Sequence, residues 1–211
     1  MNPKPPQFIT FEGIEGSGKT TTIARAAEWL KNRGHHVRLL REPGGTALGD
    51  RIRAILLDAS EAPLAPAAEL LLFEVCRAQL VEEVIRPALA AGEVVLCDRY
   101  SDSTTAYQGG ARGFDAALIR TLNGFASGGV EPDLTFLLDL PVEVGLARAK
   151  ARGAPGEDRF EAESLEFHAR VRAAFLAIAE AEPARVRVVD ATADPDAVGW
   201  AVAEQLRARG L

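Results

Sequence analysis

FEGIEGSGKTTT, residues 11–22, sets three glycines, a lysine and a run of threonines directly behind the apolar stretch Phe8, Ile9, Thr10, Phe11. Gly13, Ile14, Glu15, Gly16, Ser17, Gly18, Lys19 and Thr20 satisfy G-x-x-x-x-G-K-[ST] in full, with a strand pattern before and a helix pattern after. Glycines let backbone N–H groups curl around phosphate oxygens, and the following helix N-terminus adds partial positive charge. On this reading Lys19 bridges the outer phosphates of a nucleoside triphosphate, and Thr20 holds Mg²⁺ through its hydroxyl. An acid inside such a loop, Glu15, is a liability unless something nearby needs an acceptor.

Working outward, five apolar runs mark strands at 8–12, 36–41, 93–98, 134–140 and 186–190. They are continuous rather than alternating, which predicts burial on both faces. Helical spacing covers 20–33, 48–58, 66–91, 141–152, 164–182 and 195–209. Alternating strands and helices predict an α/β fold, a five-stranded parallel sheet with helices on both faces. Gly34 and Gly92 fall where helices stop, Pro141 where one begins, and Asp194 before Pro195 makes a helix cap.

At 211 residues the chain suits one compact domain, and no repeat or linker divides it. A formal net charge of −6 argues against nucleic acid or anionic membrane as a general partner. Cys76 and Cys97 sit in apolar segments and read as buried thiols of a reducing compartment. The N-terminal MNPKPPQ lacks the apolar core of a secretory signal, and no stretch nears the roughly 20 apolar residues of a spanning helix, so a soluble cytoplasmic protein is expected. His35, His36 and His168 show no metal-ligand spacing and read as structural or exposed.

A phosphate loop also calls for an acid near the metal, and EVVLCDRY, residues 93–100, supplies Asp98 at the end of an apolar strand. Without the loop, Asp98 and Arg99 would read as a surface ion pair. A guanine-reading Asn-Lys-x-Asp is absent, and so is a basic or aromatic run suited to a nucleic-acid motor. Phosphoryl transfer to a small molecule remains.

Further stretches are REPGGT at 41–46, DRYSDSTTAYQGG at 98–110, PDLTFLLDL at 132–140 and an arginine-rich ARAKARGAPGEDRFE at 147–161. With the phosphate loop they closely resemble the thymidylate kinases, across nearly the whole chain. The resemblance implies transfer of the γ-phosphate of ATP to dTMP with Mg²⁺, a mobile lid over about 148–161, and a homodimer. The phosphate loop carries no arginine, so the chain looks like the bacterial type, in which lid arginines do that work.

The resemblance also distributes roles. Lys19, Arg99, Arg152 and Arg159 supply cations to the transferred phosphate, and Arg148 either joins them or stacks on adenine. Thr20 and Asp98 hold the metal. Arg53 grips the acceptor's 5′-phosphate, and Glu15 binds the sugar 3′-hydroxyl. Phe73 and Arg77, four apart on one helix face, stack on the pyrimidine and donate to its O4; cytosine's amino group there would leave both donors unsatisfied. Ser103, Thr104, Tyr107 and Gln108 face the base edge and sugar, with Thr104 at N3 and Tyr107 crowding the 2′ position. DATADPD at 190–196 resembles the loop over adenine.

Read without the family, several of these residues fit plainer roles. Arg53 and the lid arginines also fit solvated charges, and Glu15 a solvent-facing acid. Phe73 and Arg77 fit core packing with an exposed tip, and 101–110 a polar helix start closed by a glycine turn. Two rival functions stay open here: a kinase for another small acceptor, and a nucleotide-binding switch.

Overall fold

The structure, a computed structural model, describes residues 7–58, 63–151 and 159–211. Strands β1 (Phe8–Glu12), β2 (Val37–Arg41), β3 (Val94–Asp98), β4 (Leu134–Asp139) and β5 (Val186–Asp190) form one parallel sheet in the order β2-β3-β1-β4-β5. The three inner strands are buried nearly throughout, as their continuous apolar runs require. The two edge strands correct the expectation of burial on both faces. β2 is half-buried or exposed along its length, and β5 is buried only at Val186 and Val189. Each pairs on one side only, and the apolar residues of β2 are interleaved with arginines.

Helix α1 (Lys19–Lys31) follows β1, and α2 (Ala47–Leu57) follows β2 with Thr46 as its cap. The helix expected over 66–91 is present but not uniform: α3 (Pro66–Leu80) widens into a π-helical turn, Val81–Ile85, before α4 (Arg86–Ala90). The wider turn lies just ahead of Pro87, which has no N–H to give an α-helical bond. Gly34 at φ 87° and Gly92 at φ 79° take the left-handed conformation after α1 and α4.

The segment after Asp98 departs most from expectation. It is helical, α5 (Ser101–Thr104) running into a π-helical turn (Thr105–Ala111), and is followed by α6 (Ala116–Ser127). Gly110 is not a turn residue: a Cβ there would come 2.5 Å from Ala174 Cβ, so the glycine lets this segment lie tightly against α8 (Leu165–Ala181). The remaining helices are α7 (Val142–Ala151) and α9 (Pro195–Ala208), the latter capped by Asp194 as expected.

The topology positions the site. β1 pairs with β3 so that Phe11 faces Asp98, which brings the end of β3 beside the chain leaving β1 for the phosphate loop. From the other side α7 meets the loop backbone to backbone: a Cβ on Gly145 would lie 2.6 Å from Glu15 O. Gly145→Ala is expected to destabilise the fold by about 1–3 kcal/mol, because the atom met first is loop backbone, with the Ile14 side chain packed close behind. The same change should weaken nucleotide binding, since relief requires the loop to retreat. By contrast Gly199→Ala on α9, whose Cβ would meet the Arg25 side chain no closer than 3.4 Å, should stabilise by up to about 1 kcal/mol. Urea titration and nucleotide dissociation constants of both variants check the pair.

Candidate active site

Gly16 and Gly18, at φ 71° and 85°, turn the chain from β1 into α1. Lys19, nearly buried, folds back into this loop, its Nζ donating to Gly13 O and Ile14 O at 2.9 Å each and to Ser17 Oγ at 3.3 Å. Burial, together with the nearby Arg99 charge, lowers its pKa to about 8. Gly13 and Ile14 lie beneath the cleft, whereas residues 15–20 line it.

Thr20 Oγ1 donates to Asp98 Oδ2 at 3.4 Å, on the exposed side of the loop. Two hard oxygen donors beside a phosphate cradle suit Mg²⁺, which keeps several waters and draws the rest of its shell from substrate. No group of three or more His, Cys, Asp or Glu able to hold a metal occurs among the described residues.

Arg99 is the non-glycine residue with positive φ, at 69°, among those described. Such strain, of order 1 kcal/mol or more, persists where the surroundings over-determine it. Here they do. Arg99 Nη2 donates to Glu15 Oε1 at 2.9 Å and Nη1 to Ser103 Oγ at 3.2 Å, and the guanidinium lies 4.9 Å from the Tyr107 ring centre. Tyr107 Oη also donates to Glu15 Oε1, at 2.6 Å, and His168 Nδ1 stands 3.2 Å from Glu15 Oε2 without the alignment of a hydrogen bond. Burial alone would push the Glu15 carboxyl up, but Arg99, His168 and Lys19 together hold it well below the usual range. His168 is therefore structural as expected, fully buried behind Glu15 rather than exposed.

A second buried acid stands one layer deeper. Glu12 accepts from Tyr100 N at 2.8 Å and from Ser103 Oγ at 2.6 Å, which fixes the segment carrying Arg99. Burial, with the neighbouring Asp102, itself paired with Arg185 at 2.7 Å, raises Glu12 to about 8.

The phosphate loop, Asp98, Arg99, Ser103 and Tyr107 line part of a cleft of about 710 Å³. The same cleft is lined by Arg53, whose Nη1 donates to Pro43 O at 2.9 Å, and Phe73, 5.8 Å ring to ring from Phe160. Arg77 also lines the wall, but it is 1% exposed and its guanidinium is held by Glu42, Glu74, Asn123 and Thr104. Gln108 borders the cleft with its amide given to Glu69 at 2.9 Å.

Of the lid arginines, Arg148 sits in the last turn of α7 and donates to Ala191 O at 2.7 Å, closing on the 190–196 loop. Arg159 is not brought to the cleft: its Nη2 donates to Asp58 O at 3.2 Å, meeting the carbonyls that the end of α2 leaves open. Arg152 lies outside the described residues. Sequence reasoning missed Phe160 as a cleft wall, though DRFE contains it, and missed Glu12, Glu42 and Asn123, whose roles depend on long-range contacts.

The match to known proteins follows the same residues. The family model described as thymidylate kinase matches residues 11–200. A thymidylate kinase of Desulfovibrio desulfuricans is 54% identical over 96% of this chain and 98% of its own. One of Geobacter sulfurreducens is 56% identical over 94% and 95%. The crystal structure of thymidylate kinase from Ehrlichia chaffeensis is 36% identical, covers 95% of this chain and 98% of its own, and superposes with a TM-score of 0.78. The chain belongs to the thymidylate kinase family. Thymidylate kinases phosphorylate dTMP, and the cleft of this chain brings a phosphate loop together with the aromatic side chains Phe73, Tyr107 and Phe160.

Lys19 generates a pH prediction. Its amine, at about 8 in the free protein, must be charged to meet phosphate, so raising the pH through 8 discharges it in the free state and costs binding. ATP affinity measured by calorimetry should be level between pH 6.5 and 7.5 and fall by about tenfold per further unit once above 8, as expected when one proton must be taken up on binding. The Lys19→Met variant should bind more weakly and show a flat profile.

Proposed function

We propose that the cleft takes ATP on the phosphate loop and dTMP in the chamber between Arg53, Phe73, Arg77 and Tyr107, giving ADP and dTDP. The observation that carries this reading is the Glu15–Arg99 pair, 2.9 Å apart between loop and chamber with Lys19 beside it. A cation held there faces both halves of the cleft.

The attacking atom is an oxygen of the dTMP phosphate and is already anionic, so no general base is required. The obstacle is repulsion between two polyanions. Lys19 leaves its loop carbonyls for the outer phosphates of ATP, Arg99 lies between donor and acceptor, and Arg53 holds the acceptor phosphate in line. When bound at Thr20 and Asp98, Mg²⁺ neutralises charge on the donor phosphates. Glu15 does two things at once: it anchors Arg99 and offers an acceptor to the 3′-hydroxyl, while Tyr107 on the same carboxylate closes the 2′ side. Phe160 backs Phe73 and so stiffens the stacking surface for the pyrimidine. Arg148, held from α7 against the 190–196 loop by its bond to Ala191 O, stacks on adenine.

The same reading makes the chain one kinase domain, since the core runs without a break from β1 to α9. It makes it a homodimer through α3 and α6, where Leu71, Val75, Leu118 and Phe125 are exposed on packed neighbours. It also makes it a cytoplasmic enzyme, in keeping with the free buried thiols Cys76 and Cys97. Arg152 and Arg159 belong to this proposal as lid cations that approach the transferred phosphate with both substrates bound.

Incubation with ATP, Mg²⁺ and, in turn, dTMP, dUMP, dCMP and AMP tests the reading. dTMP should be used best, dUMP poorly and the others hardly at all, and Arg99→Ala should lower kcat for dTMP by about 100-fold or more. Preference for AMP would overturn the acceptor, and ATP hydrolysis without any acceptor product would favour a switch.

A further inference from the structure

Arg77 is the most heavily engaged buried side chain in the cleft wall. A guanidinium has five N–H donors, and each here has an acceptor. Nε donates to Glu42 Oε2 at 3.1 Å, and Nη2 to the same oxygen at 2.8 Å and to Thr104 Oγ1 at 3.0 Å. Nη1 donates to the Glu74 carboxylate at 3.0 Å and to Asn123 Oδ1 at 2.8 Å. For Arg77 to reach a pyrimidine carbonyl it must release one of these bonds.

The partners are not equally easy to leave. The bonds to Glu42 and Glu74 are charge-assisted and buried, and breaking one would strand a carboxylate. The bond to Asn123 is the shortest to a neutral acceptor, and Asn123 cannot follow a moving guanidinium, because its Nδ2 donates to Ser101 O and to Thr105 Oγ1, both at 3.2 Å. Thr104 is different: it is an uncharged hydroxyl, free to rotate, and it borders the cleft with Arg77. The hydrogen now on Thr104 is therefore the exchangeable one.

We propose that Asn123 is a specificity-positioning residue: by pinning Nη1 of Arg77 against α6, alongside that nitrogen's bond to Glu74, it leaves a single Nη2 hydrogen to pass from Thr104 to the O4 carbonyl of the base. Asn123 does not line the cleft, so it acts on the base at one remove, through the guanidinium it holds. Without it the guanidinium can turn about its remaining bonds and present Nη1 to the base, or withdraw to satisfy the vacated donor. The exchange also frees Thr104 Oγ1 to pair with N3 of the same ring, which makes the two contacts one event. The inference rests on the assignment of Arg77 to the pyrimidine made above.

The test is the ratio of kcat/KM for dTMP over dCMP in Asn123→Ala and Asn123→Asp, with Arg77→Lys as reference. Asn123→Asp loses the anchoring amide but sets a carboxylate against Nη1, a stronger, charge-assisted bond that can hold the guanidinium in its place. Asn123→Ala should lower the ratio by about tenfold, as for loss of one buried hydrogen bond to a charged group. The loss should come through a raised KM for dTMP with kcat nearly held, and Asn123→Asp should recover most of the ratio. A purely structural asparagine would lower the melting temperature in both variants and leave the ratio alone, which would overturn the proposal, as would equal loss of the ratio in both. If Asn123→Ala fails to fold, Asn123→Ser, too short to reach Nη1, reads the same ratio. Arg77→Lys separates the two levels: a parent-like ratio there would remove the reading of Arg77 itself, whereas a collapsed ratio beside an unchanged Asn123→Ala would remove only this inference.

Discussion

A buried carboxylate holding a guanidinium, Glu15 with Arg99, is the contact on which the rest of the site depends. A cation that must sit between two polyphosphates has nothing to hold it before they arrive, and left to itself it would turn towards solvent. Glu15 supplies a fixed counter-charge, which Arg99 itself keeps ionised and the Tyr107 hydroxyl orients. The positive φ of Arg99 fits the same demand: the backbone turns back at the strand end so that the side chain enters the cleft. Glu12, one layer below, ties the same segment to β1 through Tyr100 N and Ser103.

The cleft thus places its charges in pairs. Arg99 is balanced by Glu15, Arg77 by Glu42 and Glu74, and Lys19 by the carbonyls of its own loop. Buried charges are costly unless paired and hydrogen-bonded, and each pair also leaves a cation oriented for a ligand. Phosphates replace the carbonyls at Lys19, and the pyrimidine carbonyl replaces a threonine at Arg77. Pre-organisation and solubility are reconciled by partners that can be exchanged.

Much of this was legible in the sequence because it is local. The phosphate loop and its flanking elements are contiguous, and the inner strands β1, β3 and β4 announce themselves by unbroken apolar runs. Asp98 and Arg99 stand together at the end of one of those runs. The helical start at Ser101 was legible but its continuation to Ala111 was not, because Gly109 and Gly110 read as a turn until Ala174 on α8 is seen to need the space. The edge exposure of β2 was hidden too, since an edge is a property of neighbours rather than of the strand. Glu42, His168 and Asn123 carry no motif signal: their partners lie 35, 153 and 46 positions away.

The central claim is that Arg99, fixed by Glu15, is the cation shared by donor and acceptor phosphates. The most direct measurement is a crystal structure with ADP linked through its phosphates to the 5′-phosphate of thymidine, so that both sites fill at once. The account predicts Arg99 within hydrogen-bond reach of the bridging phosphates while Nη2 stays on Glu15. Phosphates seated on the loop with Arg99 turned away from them, or Glu15 detached from the guanidinium and the sugar alike, would contradict it.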